Sequence, residues 1–329
     1  MIVNYRIIKL RHGDVKDIEC LDGIFRKSDV VSIESPTSTE ESAMRAEADY
    51  KKQLELPKSA REAMGQDITQ VAKAAGIEEN WAVAYWYALR HAKPLIFYER
   101  YAAQDSADIQ RKKKEYDESR RNVTGHTIEG NINMALEKLK RYAELYIEVI
   151  KMRDQRIPAI AAGIAERILD LYPQFGQNAA VTFTMPIGSD HNIEYGLREL
   201  VTSNVEVIPI EYVDTKPQWM QVLVENMLNK GLRFEDCMGE AARVCLSGLV
   251  AYSLPVVKPT PGLAFRISYL AVRSMGIEEL NELSSRLREM SFLKEDKHKI
   301  VRAYFSARGI QLPEKVGQYV ETFKRLQAT

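Results

Sequence analysis

An α/β fold with a largely parallel sheet, followed by an all-helical region, is what this sequence predicts. Three observations lead there. Short β-rich runs recur up to residue 210, separated by stretches of helical periodicity. One of these runs, residues 30–33, is uniformly apolar, the pattern of a strand buried on both faces. Beyond Lys216 the strand pattern does not return.

The elements follow in order. Residues 3–10 alternate and are β-rich, a first strand. Val15, Ile18, Leu21, Ile24 and Phe25 then recur at helical spacing, and 30–33 completes a β-α-β unit that ends on Glu34. Residues 38–55 are polar and helix-prone. Residues 57–90 read as two or three short helices, one carrying Trp81, Tyr85, Trp86 and Leu89. The run PLIFY at 94–98 is the next strand and ends on Glu99-Arg100. Residues 104–121 form a charged helix whose basic run reads as a solvated face. A long helix over 128–152 carries Leu136, Leu139, Tyr142, Tyr146 and Val149 as its apolar stripe. Arg153-Asp154 falls at its end, or at a kink before Pro158, and a second helix covers 159–171. Residues 180–185 are a strand running into Gly188-Ser189-Asp190-His191. A helix over 192–202 and a strand over 205–210 follow.

From Pro217 onward the chain reads as five or six helices broken by Gly231, Pro255, Pro259, Pro261, Gly276 and Pro313. The expected architecture is a three-layer α/β/α core over residues 1–215, with a helical insertion at about 57–91, and a helical C-terminal region over 216–329.

Bulk composition narrows the function classes. Among 329 residues, 46 Lys and Arg balance 46 Asp and Glu, so no net charge draws the chain to nucleic acid or anionic lipid. Cys20, Cys237 and Cys245 lack metal-ligand spacing, and their odd number favours a reducing compartment, hence a cytoplasmic location. The N-terminus lacks the apolar core and cleavage site of a signal peptide. The most apolar late stretch, 241–257, is interrupted by Arg243 and Pro255 and falls short of the roughly 20 residues of a membrane span. It reads as a buried helix running into a turn.

In an open parallel sheet the functional crevice lies beyond the carboxyl ends of the strands. Four of the predicted strands deliver ionisable residues there: Arg11-His12, Glu34, Glu99-Arg100, and Asp190-His191 after Gly188. A His and Glu pair can activate water as a general base. Two histidines with carboxylates can also hold a divalent metal, and His12, Glu34 and His191 are the candidate ligands. Arg100 or Arg153 could stabilise developing negative charge. Gly188 allows a tight turn or close approach to a ligand. No Gly-x-Gly-x-x-Gly, Gly-x-x-x-x-Gly-Lys-Ser/Thr or Gly-x-Ser-x-Gly motif occurs, which argues against dinucleotide, P-loop and serine-esterase sites.

The order of these motifs resembles a superfamily that contains the TraB/PrgY pheromone-shutdown proteins, the Tiki metalloproteases, the erythromycin esterases and the ChaN-like haem-binding proteins. In it a first strand ends in Gly-x-x-His and a second in Glu, which DVVSIES matches here. A later strand ends in an acidic-Arg pair, as PLIFYER does. A helix carries Arg-Asp, as in KMRDQRIPAIAAGI, and a last core strand ends in Gly-x-x-His, as in VTFTMPIGSDH. The resemblance covers roughly residues 1–210. It implies His12, Glu34, Arg153, Asp154 and His191 as catalytic residues, and Glu99, Arg100 and Gly188 as ligand contacts. Lys9 stands where the first motif has its Gly. The aromatic insertion and the C-terminal helices are not explained by the match.

The expected function is therefore a hydrolase of this type, acting on a small-molecule or peptide substrate, with water activated by a His/Glu site and a divalent metal as an option. The lost Gly motivates a rival, a haem- or metabolite-binding protein of the same fold without catalysis. A third reading makes the C-terminal helices an interaction surface for homo-oligomers.

Overall fold

The computed structural model describes residues 1–10, 20–34, 39–64, 70, 79–209, 219–255, 261–289 and 297–328. The chain forms two compact units. One comprises residues 1–111 and 149–212, the other residues 112–148 and 213–329. The helical unit thus includes 112–148, a stretch that the sequence reading places with the α/β core.

The α/β unit is built on four parallel strands, β1 (Ile2–Leu10), β2 (Val30–Val31), β3 (Ala180–Gly188) and β4 (Val205–Pro209), in the order β2-β3-β1-β4. β1 is central and runs in register with β3, from Ile2 opposite Ala180 to Leu10 opposite Gly188. Ile8 and Leu10 join a core with Leu21 and Phe25 of α1 (Leu21–Arg26), Tyr50 of α2 (Glu40–Leu54) and the aromatics of α4 (Glu79–Arg90). α3 (Lys58–Met64) lies between the last two in sequence. Val3, Tyr5 and Ile7 join a second core with Phe183, Met185, Ile157, Ile168 and Leu197. The period-2 alternation of β1 feeds both cores. A buried hydroxyl pair, Ser28 Oγ and Thr184 Oγ1 at 2.6 Å, links the start of β2 to β3.

Residues 94–98 are extended as expected but form no strand of their own. They meet β2 only at the Val31–Leu95 bridge, through Val31 N–H to the Pro94 carbonyl at 2.9 Å and Ile96 N–H to the Val31 carbonyl at 3.0 Å. The outward donors are met by side chains: Leu95 N–H donates to Tyr172 Oη at 3.2 Å, and Phe97 N–H to Glu47 Oε1 at 2.9 Å. Side-chain acceptors thus take the place of a further strand along this edge.

Two long helices contribute to both units, α5 (Ala103–Ile128) and α6 (Ile132–Ala162). α5 stops at Gly130, at φ 77°, with Asn131 N–H on the His126 carbonyl at 2.8 Å. A Cβ at Gly130 would lie 2.7 Å from the Ser284 carbonyl oxygen, so the position requires glycine. α6 runs through Pro158 rather than breaking there. Pro158 cannot donate to the Asp154 carbonyl. Its ring packs instead against Gly196, where an added Cβ would lie 3.1 Å from Pro158 Cγ. α7 (Ile164–Leu171) and α8 (Ile193–Leu200) complete the unit.

The helical unit contains α9 (Trp219–Asn229), α10 (Met238–Ser253), α11 (Pro261–Ala271), α12 (Ile277–Glu289), α13 (Lys297–Ser306) and α14 (Tyr319–Ala328). They close on one core with Val123, Leu139, Leu246, Leu283 and Tyr304. The apolar stretch over 241–257 supplies α10, whose Ala241, Leu246, Leu249 and Val250 are buried in this core. Among the described residues no helix is long and apolar enough to cross a membrane.

Candidate functional site

Arg153 continues the apolar stripe of α6, between Ile150 and Ile157, both buried. An arginine on such a stripe must take its partners into the interior with it. Arg153 Nη2 donates to Glu34 Oε1 at 2.5 Å and also to Glu99 Oε1. Glu34, Glu99 and Arg153 are all buried. Burial opposes the guanidinium charge, but Glu99 and then Glu34 outweigh it and hold the Arg153 pKa well above its ordinary value. Glu34 Oε2 accepts the Gly188 N–H at 2.9 Å. The ends of β2 and β3, the segment after residue 98 and the middle of α6 are thereby tied to one charged knot.

Asp154, the next residue on α6, turns to the other side of the same strand end. Its Oδ1 lies 2.5 Å from His191 Nδ1, and its Oδ2 accepts the Asn192 N–H at 2.9 Å, at the start of α8. His191 is fully buried. Burial first, then the Arg153 charge, lower its pKa, against the opposing pull of Asp154 and Glu34. The imidazole is therefore neutral at pH 7, and donation to Asp154 places its proton on Nδ1. Nε2 carries the lone pair. It lies 3.8 Å from Glu34 Oε1 and has no hydrogen-bond partner among the described residues. Arg153 Nε likewise has none among them.

The structure brings together Glu34, Glu99, Arg153, Asp154, Gly188 and His191 of the expected set. His12 lies outside the described residues. Arg100 does not join this group: its Nε donates to the Phe97 carbonyl at 2.9 Å and its Nη2 to Glu47. Adjacent in sequence, Glu99 and Arg100 serve different clusters. Gly188 acts through its N–H, as the last paired residue of β3.

Three residues outside the expected set stand around these clusters. Lys9 Nζ donates to the His191 carbonyl and to Glu194 Oε2 at 2.9 Å. Lys9 thus fastens the loop that carries His191. Tyr98 Oη donates to the Pro186 carbonyl at 2.9 Å. Glu47 is fully buried on α2. Glu47 shares the helical spacing of Ala43 and Tyr50, the signal available for it, and Lys9 stood out only against the motif.

Among the described residues no three His, Cys, Asp or Glu side chains are grouped to hold an ion. Of the expected ligands, Glu34 has one oxygen on Arg153 and the other on Gly188. The guanidinium stands where a cation would need that carboxylate, so the described residues do not fit one.

Comparison of the chain with protein-family models, curated proteins and solved structures gives no match.

Proposed function

We propose that the chain is a hydrolase in which His191, held by Asp154, is the general base. The observation that carries this reading is the buried imidazole with Nδ1 on Asp154 and Nε2 without a partner among the described residues. In the proposed step His191 Nε2 takes a proton from water as the water oxygen adds to an ester or amide carbonyl. It returns that proton to the leaving oxygen or nitrogen as the bond breaks. Arg153 Nε is the nearby donor for the oxyanion. Glu34 and Glu99 position Arg153, and Glu34 also holds the end of β3.

This assigns water activation to His191 rather than to Glu34, because both Glu34 oxygens already accept hydrogen bonds. His12 takes no step here. No step runs through a metal. The motif order supports the TraB/erythromycin-esterase-like reading of the same residues. The two cores fed by opposite faces of β1 support a three-layer α/β/α arrangement, and the odd cysteine count without metal-ligand spacing supports a cytoplasmic location.

The test is a panel of small esters and short peptides assayed with the wild type, His191→Ala and Asp154→Asn. Each variant should lose about 10²- to 10⁴-fold in kcat on any substrate turned over, with the far-UV circular dichroism unchanged. Full activity in either folded variant would overturn the assignment. The burial of Glu34, Glu99, Arg153 and His191 favours a second reading, a closed ligand-binding site without catalysis. Stoichiometric retention of a panel compound without turnover would select it.

A further inference from the structure

Beyond the site above, we infer that Arg100 and Arg167 form a separate binding site for a small oxyanion, a carboxylate or phosphate group. Glu47 of α2 is fully buried and accepts from both: Arg167 Nη2 donates to Oε2 at 2.8 Å, and Arg100 Nη2 donates to Oε1. The Phe97 N–H completes the Oε1 shell at 2.9 Å. One carboxylate balances one guanidinium. Here two share it, and among the described residues no other acid pairs with either, so one positive charge is left over.

That surplus charge is partly desolvated. The Arg100 and Arg167 side chains are only 10% and 20% exposed. A partly buried charge without a counter-charge costs free energy that a bound anion would offset. Each guanidinium is fixed by Glu47, and Arg100 also by its Nε bond to the Phe97 carbonyl, so their ordering entropy is already spent before a ligand arrives. Donors remain: Arg167 Nε is buried and has no partner among the described residues. Arginine forks match the oxygen spacing of carboxylate and phosphate. The neighbouring Glu99 cluster is the opposite case, two carboxylates on one guanidinium.

The test uses the full chain, labelled with ¹⁵N-arginine, titrated with inorganic phosphate and separately with acetate at fixed ionic strength. Saturable shifts of the Arg100 and Arg167 Nε–Hε signals in the millimolar range, from either anion, are expected. Arg167→Gln leaves Arg100 to neutralise Glu47 and should weaken the binding at least tenfold. Arg141→Gln, a change at an exposed arginine, should leave it unchanged. Should Arg167→Gln fail to fold, Arg167→Lys keeps the charge, loses the fork and should weaken binding severalfold. The inference is overturned if neither anion saturates, if sodium chloride produces the same shifts, or if the Arg167 variant binds as the wild type does. None of these outcomes depends on hydrolysis, so the two proposals fail separately.

Discussion

Replacing Arg153 with methionine is the most severe perturbation the charged knot offers. The guanidinium bridges Glu34 and Glu99 at 6% exposure, with both carboxylates at 1% or less. Removing one partner of a buried ion pair costs about 3–5 kcal/mol, because the remaining charge is left in a poorly solvating interior. An independent estimate agrees: two charge-assisted hydrogen bonds at about 1.5–3 kcal/mol each give a loss of the same size. Methionine fills much of the volume, so cavity formation adds little. Without the guanidinium, burial favours the neutral carboxyls, which take up protons more readily than in the unfolded chain. The defect should therefore be full at neutral pH and shrink on acidification. Urea unfolding in a Trp219→Phe background, with Trp81 and Trp86 as reporters inside the α/β unit, would measure it. A loss of about 3–5 kcal/mol at pH 7 that narrows at about pH 5 is expected. A loss below about 1 kcal/mol, the size expected of an exposed pair, or one of equal size at both pH values, would refute the reasoning.

Other perturbations probe neighbouring links. His191 is held neutral by burial and Arg153, so kcat should be flat through neutral pH and fall only below the usual histidine range near ~6.5. The stability that the buried neutral ring confers is likewise full above ~6.5 and lost as the pH falls, since the unfolded chain takes the proton first. Both follow from a pH profile of kcat and of the urea midpoint, and a histidine-like fall in kcat above pH ~7 would contradict them. Lys9→Met should lower kcat by about 10²-fold with KM little changed, as the His191 loop drifts by about an ångström, while the stability of the helical unit stays constant. Unchanged kcat would remove Lys9 from the account. Gly196→Ala puts a methyl 3.1 Å from Pro158 Cγ and should cost about 1 kcal/mol in urea unfolding, whereas a neutral change would mean that α8 gives way freely.

The regular parts of the fold were legible because periodicity reports burial. β1, β3, β4 and the C-terminal helices lie where the patterns place them. The misread places are those where one local rule met a stronger tertiary one. Pro158 signals a break, but packing against Gly196 keeps α6 intact, and Arg153 and Asp154 stay on one rigid turn. Residues 94–98 have strand composition, yet Glu47 and Tyr172 consume the donors that a ladder would use. Glu34 and His191 were legible as charges at the ends of strands. The division of Glu99 from Arg100 was not, since they are adjacent in sequence yet pair with Arg153 and Glu47 respectively. Lys9 could be recognised only as a departure from a motif. Its reach to the His191 carbonyl depends on β1 and β3 lying side by side, a pairing across 178 residues (Ile2 with Ala180) that no local pattern encodes.

The central claim is the state of one imidazole, and ¹⁵N NMR of the side chain tests it without any substrate. Histidine-labelled protein, with His191→Gln to assign the signal, should show at pH 7 a protonated Nδ1 and an unprotonated Nε2 for His191. A ring protonated on both nitrogens, or a neutral ring with its proton on Nε2, would contradict the account, because neither leaves a base where the Asp154–His191 pair is proposed to supply one.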